Sequence, residues 1–209
     1  MTTPLATLAD LKTFMGLTSN NSDAVLQTIL DSSELAIGNY CNRNFTSHSM
    51  TEWRDGNGNA RMQLATYPLT AVQCVTIDNQ VVPPYGTNGP FGYQWALGGR
   101  ALWLAGCNYR FTRGMRNVQV VCTGGYGDAS GPGGTDVMPW PSDLKLALLE
   151  YATTRFKERD RLGVGSKTLA GESITFDSGS GTSASSMGIP AAARVILDNY
   201  LNTIPETGQ

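Results

Sequence analysis

The chain has 209 residues, with 15 basic and 17 acidic side chains and a formal net charge of -2. That length fits one domain with an appendage, and it is enough to bury a core without metals or disulfides. The near-neutral balance excludes a global attraction for nucleic acid, and no run approaches the ~18 apolar residues of a membrane span.

The N-terminal MTTPLATLADLK has neither a basic region nor an apolar core, so it does not read as a secretory signal. Residues 7–15 are predicted as a short helix, with Leu8, Leu11, Phe14 and Met15 at helical spacing and Gly16 as the stop. A second helix is predicted over 22–41. Its N-terminus is marked by Asn20, Asn21, Ser22 and Asp23, and its apolar stripe by Val25, Leu26, Ile29, Leu30, Ser33, Ala36, Ile37 and Tyr40.

After Asn44 the pattern turns to strands. Residues 49–54 and 60–64 flank DGNGN and predict a hairpin. Asp55, Asn57 and Asn59 resemble the start of a calcium loop, but Ala60 stands where glycine is needed and no closing glutamate follows. Strands are then predicted at 71–77, 80–82 and 117–122, separated by a loop over 83–100 carrying Tyr85, Phe91, Tyr93 and Trp95. Those aromatics read equally as a binding surface or as cover for an open sheet.

A glycine-rich connection, 124–138, leads to a long helix over 141–161, begun by Pro141 and Asp143. Its stripe of Leu144, Ala147, Leu148, Tyr151, Ala152, Arg155 and Phe156 is expected to pack on helix 22–41 and close one core with the sheet. Arg155, Lys157, Arg159 and Arg161 alternate with Glu158 and Asp160, which reads first as a solvated, internally paired face and second as a nucleic-acid site. Residues 166–188 are too polar for a core and are expected to be extended or mobile. A last amphipathic stretch, 189–202, presents Ile189, Ala192, Val195, Ile196 and Tyr200, and the body is expected to fold without residues 189–209. The fold class is thus α+β, mainly helical: a small bundle with an inserted antiparallel β region and a C-terminal arm ending in a short helix. Residues 1–162 form the body and 163–209 the arm.

Catalytic chemistry is not expected. His48 is the only histidine, no GxSxG is present, and GVGSKT at 163–168 lacks the spacing of a phosphate-binding loop. Cys41, Cys74, Cys107 and Cys122 form no close pairs of the zinc type, so neither metal nor cofactor is expected, and they fit a reduced setting.

Several stretches in a fixed order carry a family resemblance: LADLKTFMGL (8–17), AVLQTILDSSELAIGNYCNRNF (24–45), LATYPLTAVQCVTIDN (64–79), VQVVCTGGY (118–126), the segment from Trp140 to Phe176, and LDNYL (197–201). Together they resemble the gp6-like head–tail connector, or adaptor, proteins of long-tailed double-stranded-DNA bacteriophages. The resemblance implies a structural, non-enzymatic protein of the virion neck, made in the host bacterial cytoplasm. It implies a homo-oligomeric ring, a dodecamer in the virion, beneath the portal protein. The ring continues the DNA channel without reading sequence and receives a stopper or tail-completion protein; no membrane is involved. Portal or subunit contacts are implied for Arg155, Arg159 and Arg161, for Ser166, Lys167, Leu169 and Phe176 in the arm, and for Ile189, Val195, Ile196 and Tyr200 in the last helix. The alternative is a monomeric ligand- or nucleic-acid-binding module using the aromatics of 85–95 and the basic residues of 155–161.

Overall fold

The computed structural model describes residues 4–106, 108–127, 138–159, 166–169, 172–175 and 188–204, with backbone alone for 166–169 and 172–175. Its first helix, α1 (Leu8–Met15), starts at a reciprocal cap: Thr7 Oγ1 accepts from Asp10 N at 3.2 Å, and Asp10 Oδ2 accepts from Thr7 N at 2.9 Å. Two N–H groups that a helix start leaves orphaned are thereby satisfied. Gly16 ends α1 in the left-handed conformation, and Asn42 does the same for α2 (Asp23–Cys41). After the β region, α3 (Ser142–Glu158) follows Pro141, and Asp143 Oδ1 accepts from Leu144 N at 2.8 Å. The last helix, α4 (Ala191–Leu197), continues into a 3₁₀ turn at Asp198–Tyr200.

These helices belong to one compact unit, Pro4–Asn42 with Pro141–Leu201. Leu11, Leu26, Leu30 and Ile37 bury their side chains there, with Leu144, Leu148 and Tyr151 of α3. The α4 helix packs on α3 and buries Ala193 and Leu197 fully. Residues 189–201 thus belong to the same compact unit as α1, α2 and α3. The tract expected to be extended contains a strand pair, β8 (Ser166–Leu169) and β9 (Glu172–Thr175), antiparallel with Ser166 opposite Thr175. Arg161 and Phe176 lie outside the described residues.

The second unit, Arg43–Trp140 with the chain from Asn202 onward, holds the other strands. These are β1 (His48–Gly56), β2 (Arg61–Gln63), β3 (Leu69–Ile77), β4 (Gln80–Val82), β5 (Gly92–Trp95), β6 (Ala101–Ala105) and β7 (Gly114–Gly124). They form two antiparallel sheets, ordered β1-β7-β3-β4 and β2-β6-β5. The hairpin predicted around DGNGN does not form. The chain turns there, with Gly58 at φ 76, but β1 pairs with β7 and β2 pairs with β6, so the turn passes the chain from one sheet to the other. By contrast, Asp78 and Asn79, both at positive φ, close the β3–β4 hairpin as their residue types require.

This unit has a core of its own, including Leu64, Leu69, Val75, Leu102, Phe111, Val118, Val120 and Cys122. Burial pushes the Cys122 thiol up to about 12, the behaviour of a small hydrophobe and not of a reactive thiolate. Glu52 is fully buried and accepts from Ala65 N at 3.0 Å and Thr66 N at 2.7 Å while pairing with Arg54 at 2.9 Å. It fixes the segment that leads into the cis Tyr67–Pro68 bond.

Candidate interaction surfaces

In the helical unit, Arg155 and Arg159 are exposed near the end of α3. The Arg155 guanidinium lies 4.9 Å from the Tyr151 ring centroid and that of Arg159 3.9 Å from Phe156. Both cations are thus laid along rings one turn earlier in the same helix, which fixes their direction without removing their charge. Lys157 and Glu158 are exposed beside them.

The face assigned to the last helix divides. Ile189 is 2% exposed and Val195 70% exposed, whereas Ile196 and Tyr200 are half-buried. The inward row is Ile189, Ala193 and Leu197, four residues apart, so Ile189 lies in the core. Tyr200 donates its hydroxyl to both carboxylate oxygens of Asp143 at 2.8 and 2.9 Å. Ser166, Lys167 and Leu169 occupy β8, where they face Thr175, Ile174 and Glu172 across the strand pair.

In the β unit, the aromatics of residues 85–95 have different fates. Tyr93 is buried and donates to Val72 O at 3.2 Å, Phe91 packs against Tyr109 with ring centroids 5.9 Å apart, and Tyr85 is 46% exposed. Tyr85, Tyr93, Trp95 and Trp103, with Val72, Pro84 and Gln94, line a shallow recess of about 470 Å³. Tyr93 covers the core, while Tyr85 remains at the surface.

His48, at the start of β1, places Nδ1 2.7 Å from Thr46 O, an edge-strand position. The side chains that resembled a calcium loop serve the turn instead. Asp55 Oδ1 accepts from Arg116 N at 2.6 Å, and Asn57 Oδ1 accepts from Asn59 N at 2.9 Å. Among the described residues, no helix is long and apolar enough to cross a membrane, and no group of three or more His, Cys, Asp or Glu has metal-binding geometry.

One feature of this unit lay outside the sequence reading. The segment entering β7, YRFTRGMR (109–116), places Arg110, Arg113 and Arg116 at the surface around the fully buried Phe111, with Met115 84% exposed. Gly58 N donates to Phe111 O at 2.7 Å and Phe111 N donates to Asn59 O at 2.9 Å, so this tip is stitched to the 57–60 turn. Asn117 Oδ1 accepts from Gly56 N at 2.9 Å, while its Nδ2 donates to Thr112 O at 2.9 Å and Asp78 Oδ1 at 3.0 Å. The Thr112 hydroxyl and the Asn117 amide hold the Asp78 carboxyl below its usual range.

Two helix-capped bundle segments, an inserted two-sheet β unit and a returning C-terminal helix define an α+β fold. The model of the family described as "Head completion protein" matches residues 4–203, and the chain belongs to that family. No curated protein matches the chain. Among solved structures, it is similar to a chain in the neck of an empty GTA particle computed with C6 symmetry, at TM-score 0.50 and 14% identity, covering 98% of this chain and 93% of that one. It is also similar to a chain of the virion of a native gene transfer agent particle, at TM-score 0.49 and 15% identity, covering 100% of this chain and 96% of the other. At these identities the likeness is one of fold.

Proposed function

We propose that this protein is a gp6-like connector of the head–tail neck. It forms a homo-oligomeric ring beneath the portal, continues the DNA channel, and offers the surface on which a stopper or tail-completion protein assembles. The observation that carries this reading is the family match, which spans both units and the returning helix. The neck location of the GTA chain that shares the fold supports it. The work done is mechanical and topological, with no catalytic turnover, and the protein resides in the virion neck after its synthesis in the host cytoplasm.

Identical subunits close into a ring through heterologous contacts when the rotation closes. Within the proposal, Val195 is the apolar anchor on the last helix, with Ile196 and Tyr200 at its margin. Arg155 and Arg159, already oriented by their rings, supply charged contacts to the next subunit or the portal. The β8–β9 pair is the arm's contribution, because a lone two-stranded ribbon is marginal in water and gains from pairing with a neighbour.

Negative-stain microscopy of the purified protein, with and without the portal protein encoded nearby, tests the reading. Rings, or a ring added beneath the portal, are expected. Monomers that ignore the portal sink it. Val195→Asp should keep the melting temperature of the parent while reducing portal association at least tenfold.

A further inference from the structure

The 109–116 tip carries three arginines and no acid, in a chain whose overall charge is slightly negative. Among the described residues, no carboxylate forms an ion pair with Arg110, Arg113 or Arg116. Two acids reach the tip by hydrogen bonds and not by ion pairs with its guanidiniums: Asp55 accepts from the Arg116 backbone N–H, and Asp78 accepts from the Thr112 hydroxyl and Asn117. The tip is also held firmly. Phe111 anchors it in the core, and the stem of Arg113 lies over Gly58, where an added Cβ would come within 3.0 Å of Nε and 3.2 Å of Cγ. Arg116 sits at φ 49, a left-handed position. Guanidinium groups on a rigid support lose little freedom on binding, and their planar forks match phosphate oxygens.

From this geometry we infer that the Arg110–Arg113–Arg116 tip binds the phosphate backbone of double-stranded DNA without reading its sequence. The inference rests on the neck reading only for which DNA is met: the duplex passing through the channel. A second copy of this chain is the poorer partner. Several of its described acids are already engaged, Asp10 by Lys145, Asp23 by Lys12, Asp31 by Gln27, Asp143 by Tyr200 and Asp198 by Tyr40. None of these groups makes an acidic patch that would answer three adjacent arginines. A duplex does so continuously along its length.

Fluorescence anisotropy of the full chain with a labelled mixed-sequence duplex, titrated at increasing salt, tests this. The wild type should bind with a dissociation constant in the ~10⁻⁴–10⁻⁶ M range of non-specific contacts, equally for unrelated sequences. The R110Q/R113Q/R116Q variant should lose at least tenfold in affinity, with a slope of log K against log salt shallower by about 2–3. Its melting temperature should match the parent's, since all three side chains are exposed. K157Q, which removes an exposed charge on α3 outside the proposed contacts, should bind like wild type. An equal loss in that control, or no binding by wild type at low salt, overturns the inference. So does a tip variant that binds DNA normally but fails to assemble, which would make the tip a protein contact. Assembly is scored separately by microscopy: rings with unaltered DNA binding in the tip variant overturn the inference alone, and tip-dependent binding without rings overturns the neck reading alone.

Discussion

Tyr40 of α2 donates its hydroxyl to Asp198, 158 positions later, at 2.7 Å. Beside it, the Cys41 thiol meets Leu197 O at 3.7 Å, so the end of the second helix is joined to the end of the last one within a single unit. The last helix is thus structural at its root, whatever its outer face contacts.

Leu197→Ala is therefore expected to destabilise the protein by about 2–5 kcal/mol, the range for truncating a fully buried leucine. Urea unfolding should show the lower midpoint. Deleting residues 189–209 should lower stability further, which is why Val195→Asp, on the exposed side, is the cleaner probe of docking.

Glu52→Gln keeps the shape of a buried side chain but removes the charge that two backbone N–H groups and Arg54 share. A loss of about 2–4 kcal/mol is expected, in line with breaking a buried, hydrogen-bonded ion pair from one side. Chemical denaturation read by tryptophan fluorescence measures it. A variant as stable as the parent would remove Glu52 from the account of the β unit.

Gly56→Ala places a methyl group where its carbon would lie 1.6 Å from Thr112 O. The β1–β7 pair must open locally to admit it, and a destabilisation of about 3 kcal/mol or more is expected from overpacking against backbone. Hydrogen exchange should show lost protection at the Gly56 and Phe111 amides first.

Asp10 gives a pH signature. Its carboxyl is held down to about 2, chiefly by the Thr7 backbone N–H, then by the Lys145 ammonium and the Thr7 hydroxyl. Because the folded value is depressed, the stability it contributes is fully present above about pH 4 and is lost as pH falls through about 2. The melting temperature of Asp10→Asn should lie below the parent's at neutral pH, and the two should converge near pH 2. A constant gap across that window would show that the carboxyl is not perturbed.

Much of this architecture is legible in the residues, because long periodic segments leave little choice. The α2 stripe of Leu26, Leu30 and Ile37 is the stripe that is buried. The α4 face shifts by one position because Ala192 and Ala193 give no contrast in a seven-residue helix, and Leu197 decides for the row through Ala193. The DGNGN turn predicts a local hairpin, yet the eleven-residue β7 offers β1 a longer partner than β2 can, and the longer ladder prevails. The arginine tip escapes a reading based on periodicity, since loop charges have no period. Its signal was the run of three arginines, each three residues from the next, without an intervening acid.

The chain leaves the helical unit at Asn42 and re-enters it at Pro141. A nascent polypeptide therefore exposes Leu11, Leu26 and Leu30 while the whole of 43–140 is still being made, a wait of roughly 5–20 s at ordinary elongation rates. The β unit, continuous over that stretch, can close first; α1 and α2 gain their partner only when α3 emerges. Asn202 comes last, donating to Ala65 O at 3.2 Å and accepting from Arg100 at 2.5 Å in a unit otherwise complete. The order of completion is written into the connectivity: sheets, then helices, then a single asparagine.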